Sequence, residues 1–422
     1  MNCVIEPELL EGTVSIPASK SAAHRALICA ALAKGTSRLT NLSDSEDIAA
    51  TIGALQQMGA KITRTGSSVT VTGILEPPTQ PITLDCGESG STLRFMLPIA
   101  AVLGLECDFH MEGRLPQRPL SPLYEEMMTN GCSMSEQGEN PLHLSGRLSG
   151  GTYTIPGNIS SQYITGLLFA LPLAEEDSRI NITGRLESSP YIDLTLQALD
   201  AAGIKVVSDD KGFGVPGGQK YRLTGEHHIE GDWSNAAFWL CMSAMTDGSI
   251  CCSGLDMNSR QGDRRILDVL ESMDGKVICE NNAVRISAPE GLKGAVIDAS
   301  KIPDLVPVIA ATAVSAKGQT VIENAGRLRL KESDRLKSVS TVLAELGADI
   351  AELTDGLVIN SSGSIRGGSI DSFGDHRIAM MAATAACISS GEITISGAEA
   401  VNKSYPGFYR DYRALGGEID ID

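Results

Sequence analysis

Large rings are scarce in this sequence. Phe, Trp and Tyr together make up 4% of its 422 residues, and just two are tryptophan, so the core has to be assembled from Ala, Val, Ile and Leu. Positive charge is also short: 34 Lys and Arg stand against 52 Asp and Glu, a formal charge of −18. That balance excludes a broad basic face, and with it nucleic acid as the main partner. None of the ten cysteines forms a Cys-x-x-Cys pair; Cys251 and Cys252 are adjacent and the rest lie scattered in apolar stretches. Such spacing reads as reduced, buried thiols in a cytosolic protein. The six histidines and the cysteines show no ligand spacing, so no metal is expected, and no cofactor. The apolar run Phe95 to Leu105 is far short of the roughly 20 residues of a membrane span. Met1 to Gly12 has neither a basic nor an apolar leader stretch, so no signal peptide is expected.

What the chain has in quantity is glycine, 44 residues, and part of it is periodic. Six times an apolar helical stretch reaches a glycine and gives way to strand-like alternation. The segments are Gln57 to Ile62, Thr129 to Met134, Ala201 to Val206, Met273 to Ile278, Glu345 to Ile350 and Ala414 to Ile419. Their glycines, Gly59, Gly131, Gly203, Gly275, Gly347 and Gly416, are 72, 72, 72, 72 and 69 residues apart. Glycine is the expected cap after a helix, because it enters the left-handed region without a Cβ penalty. Unrelated caps would not keep step, so the period reads as six copies of one unit. Within each copy a further helix is announced by Gly, Ser or Asp before an Ala/Leu-rich run. These starts are Ile16 to Ser21, Cys86 to Ser91, Pro156 to Ser161, Gly231 to Asn235, Ala299 to Asp304 and Phe373 to Arg377. Each copy then reads strand, helix, strand, helix, strand, strand.

A chain this long predicts two domains or more. The last copy has room for one strand after Gly416 where the others have two, and Cys3 to Val14 is a spare strand ahead of the first copy. The N-terminus is therefore expected to complete the last copy. That predicts a discontinuous domain, 1–18 plus 229–422, with an inserted middle domain, 19–228, and an active site in the cleft between them. The two crossings, near Ala18 and Ile229, would form a hinge.

Lys20, Arg25, Arg94, Arg118, Lys331, Arg335, Arg377 and Lys403 gather at helix starts and in the neighbouring loops. For any one of them a solvated face is an adequate explanation. Their common position in an acidic protein predicts an anion site, since helix N-termini present free N–H groups and a partial positive charge.

Seven motifs in order give the pattern a specific character: Lys20-Ser-Ala-Ala-His-Arg25, Gly90-Ser-Thr-Leu-Arg94, Gln117-Arg-Pro119, Ser160-Ser-Gln162, Lys331-Glu-Ser-Asp-Arg335, Gly374-Asp-His-Arg377 and Lys403. Over nearly the whole chain they resemble the 3-phosphoshikimate 1-carboxyvinyltransferases, or 5-enolpyruvylshikimate-3-phosphate synthases, of the enolpyruvyl transferase family. The resemblance implies an α/β fold of two inside-out domains, each of three βαβαββ repeats. It implies a cytoplasmic monomer that moves the carboxyvinyl group of phosphoenolpyruvate to shikimate 3-phosphate in aromatic amino acid biosynthesis, without metal or cofactor. Shikimate 3-phosphate would be held by Lys20, Ser21, Arg25, Ser160, Ser161, Gln162, Ser188, Tyr191, Asp304 and Lys331. Phosphoenolpyruvate would be held by Lys20, Gly90, Arg118, Gln162, Arg335, Arg377 and Lys403. Asp304, Glu332 and Lys20 would be catalytic. The reaction removes a proton from the 5-hydroxyl and delivers one to the alkene carbon, which suits two positioned carboxylates.

The sequence departs from the family pattern at two places. The glycine-rich loop usually carries Asn-Ala-Gly-Thr; here it reads Glu88-Ser-Gly-Ser91. A carboxylate beside a phosphate site is unfavourable unless it turns away or meets a cation, so this change bears on substrate affinity and glyphosate sensitivity. Arg327 stands where the family often has Asn. The related UDP-N-acetylglucosamine enolpyruvyl transferases carry a reactive cysteine five residues before the arginine matching Arg118, a position held here by Gly113. A catalytically silent anion-binding protein would have lost Asp304 and Glu332. An RNA-phosphate cyclase would call for a nucleotide-accepting histidine and a more basic surface.

Overall fold

The computed structural model describes residues 1–246, 250–280 and 283–422. The helices of these residues come in six pairs: α1 (Lys20–Leu32) and α2 (Glu46–Gln57); α3 (Gly90–Val102) and α4 (Leu123–Thr129); α5 (Ser161–Ala170) and α6 (Ser189–Ala201). The others are α7 (Trp233–Met245) and α8 (Ile266–Ser272); α9 (Val306–Ser315) and α10 (Arg335–Glu345); α11 (His376–Ala386) and α12 (Phe408–Ala414). Each pair accompanies one of six four-stranded sheets. In the sheet of α3 and α4, Ile82–Asp85 runs parallel to Cys107–His110, Leu142–Gly146 lies antiparallel to the latter, and Cys132–Met134 pairs antiparallel at the edge. A parallel step needs a crossover, which α3 supplies, whereas an antiparallel step needs only a turn. The fold is the expected α/β type, six βαβαββ repeats in two sets of three.

Strands from distant parts of the chain complete three of the sheets. Gly225–His228 runs parallel to Thr36–Thr40, and Gly12–Ser15 runs parallel to Ile250–Ser253. Asn2–Ile5 lies between Ile393–Ser396 and Ile419–Ile421, antiparallel to both. This corrects the reading of Cys3 to Val14 as one strand: it is two strands in two sheets, separated by residues 6–11, which include Pro7, whose ring has no N–H for a ladder. The chain falls into two compact units, Met1–Ser19 with Glu230–Asp422, and Lys20–Ile229.

Five of the periodic glycines, Gly59, Gly131, Gly203, Gly347 and Gly416, take the expected positive φ. The fourth repeat differs. There Asp274 occupies the left-handed region at φ 69°, and Gly275 is needed because a Cβ would press on the Leu270 carbonyl at 2.8 Å.

The first helix of a pair is enclosed on nearly every side. Every residue of α11 is buried, and in α3 all but Ser91 are. Small residues permit this: a Cβ on Gly166 of α5 would strike the carbonyl of Arg94 in α3. Second helices have one apolar face, as in α10, which buries Leu336, Val339, Val342 and Leu343. A helix enclosed all round can present polar groups only at its ends, and its start offers unsatisfied N–H groups and the positive end of the dipole. Four of the quoted motifs lie at such starts, those of α1, α3, α5 and α11, whereas Lys331 to Arg335 lies at the start of α10, a second helix. Among the described residues, no helix is long and apolar enough to cross a membrane. All ten cysteines are free; Cys279 is exposed, Cys251 and Cys387 are half-buried, and the remainder are buried as expected.

Candidate active site

In the unit Lys20–Ile229, polar side chains gather at the starts of α1, α3 and α5. Ser89 caps α3 by accepting the Thr92 N–H at 3.2 Å, and Ser160 caps α5 by accepting the Gln162 N–H at 3.2 Å. Gly90 lies beneath two guanidinium groups, so that a Cβ there would stand 2.5 Å from Arg94 Nη1 and 2.8 Å from Arg118 Nη1. Arg94 donates to Gln162 Oε1 at 2.9 Å and to the Pro119 carbonyl at 3.2 Å, while Gln162 Nε2 donates to Ser91 Oγ at 2.9 Å. Gly90, Arg118 and Gln162 are thus brought together, with Arg94, one of the cations expected at the anion site, and Ser91, to which the sequence reading gave no role, as their partners.

Lys20, the first residue of α1, is paired with Asp47 of α2 at 2.6 Å. Arg25, one turn on, is buried and donates to Thr195 Oγ1 at 2.9 Å, to the Ser21 carbonyl at 2.7 Å and to the Tyr191 carbonyl at 2.8 Å. Burial lowers its pKa to about 10, which still leaves it charged at neutral pH. Ser21, Arg25 and Tyr191 therefore share one neighbourhood. Ser188, buried, precedes α6 with a left-handed φ of 50°, a conformation uncommon outside glycine. Ser161 is the half-buried first residue of α5. Glu88 turns toward the loop ahead of Arg118: a Cβ at Gly113 would fall on its carboxylate. No side chain fits at 113 while Glu88 holds this position, which agrees with the absence of a cysteine there.

The other unit holds a second polar cluster, centred on Arg335 at the start of α10. Arg335 is 1% exposed, and its three nitrogens face carboxylates. Nε meets Asp375 Oδ2 at 2.8 Å, Nη1 meets Asp304 Oδ1 at 2.7 Å, and Nη2 meets Glu332 Oε2 at 2.7 Å. Lys331 Nζ stands 3.4 Å from Asp304 Oδ1, and Arg377 Nη2 stands 3.4 Å from Asp304 Oδ2. Arg377 also donates to the Asp304 carbonyl at 3.1 Å, and Lys403 Nζ donates to the Gly374 carbonyl at 2.6 Å. Burial alone would weaken the charges of Arg335 and Asp375, but each is outweighed by its partners. Asp375, Glu332 and Asp304 hold the Arg335 pKa above its ordinary value, while Arg335 and His376 hold Asp375 below its own.

Asp304, Lys331, Glu332, Arg335 and Arg377 are thus neighbours. Asp375 went unassigned although it lies inside the Gly374-Asp-His-Arg motif; it caps α11 through the Arg377 N–H and accepts from Ser333 at 3.0 Å. His376 is buried, with Nδ1 3.7 Å from Asp375 Oδ1. Asp263 went unnoticed because it belongs to no quoted motif. It is buried and accepts a hydrogen bond from Ser234. Burial and the Asp304 charge raise its pKa to about 6. Among the described residues, no group of three or more His, Cys, Asp and Glu side chains is arranged to hold a metal ion.

Six βαβαββ repeats, with cations and paired carboxylates at helix starts, define the enolpyruvyl transferase class. Comparison with known proteins agrees. The family model EPSP synthase (3-phosphoshikimate 1-carboxyvinyltransferase) matches residues 4–412. The 3-phosphoshikimate 1-carboxyvinyltransferase of Clostridium kluyveri is 45% identical over 418 residues, covering 99% of this chain and 97% of its own. That of Clostridioides difficile is 41% identical over 429 residues, covering 99% and 98%. The solved structure of EPSP synthase from Acinetobacter baumannii superposes over the whole of both chains with a TM-score of 0.82 at 27% identity. The chain belongs to the EPSP synthase (3-phosphoshikimate 1-carboxyvinyltransferase) family of enzymes.

Proposed function

We propose that this protein transfers the carboxyvinyl group of phosphoenolpyruvate to the 5-hydroxyl of shikimate 3-phosphate and releases phosphate, as a cytoplasmic monomer. The observation that carries the reading is the bridging of Asp304 and Glu332 by one guanidinium, that of Arg335, at 2.7 Å to each.

The chemistry needs two proton transfers of opposite sense. Asp304 takes the proton of the 5-hydroxyl as its oxygen attacks C2 of phosphoenolpyruvate, and Glu332 delivers a proton to C3. The tetrahedral intermediate then loses phosphate from C2, and a proton leaves C3 to restore the double bond. Arg335 keeps the two carboxylates adjacent, and an arriving phosphoenolpyruvate competes with them for the same guanidinium, which frees both to take part in proton transfer. Arg118, Arg377 and Lys403, with Gly90 and Gln162, hold the donor and stabilise the departing phosphate, a task suited to planar guanidinium forks. Ser21, Arg25, Ser160, Ser161, Gln162, Ser188, Tyr191 and Lys331 hold shikimate 3-phosphate, and Lys20 contacts both substrates.

The test is phosphate release from phosphoenolpyruvate in the presence of a chelator, run once with shikimate 3-phosphate and once with UDP-N-acetylglucosamine. Turnover is expected with the first acceptor. Turnover with the nucleotide sugar alone would reject the reading.

A further inference from the structure

An imidazole and three hydroxyls form a continuous line through the unit Lys20–Ile229, joining three helices. His24 Nδ1 of α1 lies 2.8 Å from Thr51 Oγ1 of α2, and Thr51 Oγ1 lies 2.7 Å from Thr92 Oγ1 of α3. Thr92 donates its hydroxyl to Ser89 Oγ at 2.8 Å. None of the four residues is more than 1% exposed. Ser89 is the cap of α3 and precedes Gly90, the residue covered by Arg94 and Arg118.

A hydroxyl has one proton to give, and that fixes the direction of the whole line. The Thr92 proton has Thr51 Oγ1 at 2.7 Å and Ser89 Oγ at 2.8 Å within reach, the Asp47 carbonyl being longer at 3.4 Å; the far end of the line decides for Ser89, because protons running the other way would end on His24 Nδ1 and leave a buried Nε2–H bare. Thr92 must then accept from Thr51. Thr51 has no second proton for His24, so it must accept from an Nδ1–H. The remaining nitrogen, Nε2, is buried and has no hydrogen-bond partner. A bare buried lone pair is tolerated better than a bare buried N–H, which agrees with Nδ1 as the protonated atom. Burial, followed by the charges of Lys20 and Arg25, keeps the His24 pKa well below its ordinary value and the ring neutral. Ser89 therefore accepts from the Thr92 hydroxyl and from the Thr92 N–H, and its own proton is used nowhere in the line.

We propose that His24 is a positioning residue: held as the Nδ1–H tautomer, it orders the protons of Thr51 and Thr92 so that the Ser89 hydroxyl donates to the anion at the start of α3. This rests on the reading of that helix start as a binding point for phosphoenolpyruvate.

Long-range proton–nitrogen correlation on the full-length, 15N-labelled protein identifies the tautomer, with His24→Asn assigning the signals by their loss. Nδ1 is expected as the protonated nitrogen; a protonated Nε2 would overturn the proposal. In steady-state assays Thr51→Val, which keeps the shape but cannot relay, should raise KM for phosphoenolpyruvate about fivefold, the worth of one neutral hydrogen bond, while kcat and KM for shikimate 3-phosphate stay within about twofold. His24→Asn can set an amide N–H near the position of Nδ1 and should keep the wild-type KM, whereas His24→Leu should match Thr51→Val. An unchanged KM in folded Thr51→Val, or equal rises for both substrates, would leave a packing role alone and overturn the relay. Failure of the functional reading shows separately, as a wild-type protein that releases no phosphate, and it takes the Ser89 role with it.

Discussion

A guanidinium presents its donors in a rigid planar fork, and Arg335 uses that rigidity to fix three carboxylates around one centre. The two members assigned to proton transfer differ in what their removal leaves behind. Glu332→Gln keeps an oxygen for Arg335 Nη2 and should fold with near wild-type thermal stability. Asp304→Ala leaves Arg335, Lys331 and Arg377 facing one another without their shared counter-charge and should melt earlier. Both should cut turnover by at least about 10²-fold, the lower end for general acid–base groups. Near-normal turnover in either variant would remove that residue from the mechanism. Asp263 supplies a pH signature. Its folded pKa of about 6 lies above the unfolded value of about 3.9, so the folded state binds more protons between these values. Stability from this group is therefore present at low pH and is lost as pH rises through 6. Asp263→Asn cannot ionise and escapes that loss. Its melting temperature relative to wild type should climb between pH 5 and pH 8; a difference that does not vary with pH would contradict the assignment.

At the scale of elements, the contact of α3 with α5 sets the geometry of the Gly90 region. Gly166 lets the Arg94 backbone approach, and Arg94 in turn reaches Gln162 on α5. Gly166→Ala should cost about 1–3 kcal/mol, the usual price of overpacking a core. It should also raise KM for phosphoenolpyruvate, because Arg94 and Gln162 move apart. A denaturant midpoint unchanged from wild type would show that the helices yield without strain. These elements also show what a sequence discloses. Helix starts were readable as segments, because a cap is a local arrangement of a few residues, and four of the six segments contain the side chain that caps the helix: Ser89, Ser160, Asp232, which accepts the Asn235 N–H, and Asp375. The period of glycines was readable because each marks one helix end, although at Gly275 the left-handed turn had passed to Asp274. The division of Cys3 to Val14 between two sheets was not readable, since strand pairing depends on partners hundreds of residues away. Nor was the convergence of Asp304, Glu332 and Asp375 on Arg335, which joins three separate helix starts. The line from His24 to Ser89 escaped for the same reason, and its threonines resemble ordinary buried helix residues when read singly.

For the molecule as a whole, a charge of −18 has to coexist with doubly and triply charged substrates. Screening makes this tolerable: beyond a Debye length of about 10 Å at 0.1 M salt the surface acids contribute little, while cations at buried helix starts act at contact distance. The same starts are divided between two units with different claims on the chain. Lys20–Ile229 is contiguous and holds three complete sheets, the first closed by its own late strand, Gly225–His228. The other unit needs Asn2–Ile5 and Gly12–Ser15 from the far end of the sequence. A fragment spanning 20–229 should therefore fold alone and unfold in one cooperative step, as domains with their own core generally do. It retains Arg25, Ser160 and Tyr191 and should bind shikimate 3-phosphate measurably in calorimetry, but without Asp304 and Glu332 it should release no phosphate. The informative control is a fragment ending at 222. It lacks Gly225–His228, leaves the Thr36–Thr40 edge unpaired, and should melt earlier or aggregate through that edge. If the two fragments melt alike, the late strand is dispensable and the unit does not depend on the second crossing. If neither folds, the contiguous unit depends on the rest of the chain and is not an independent domain.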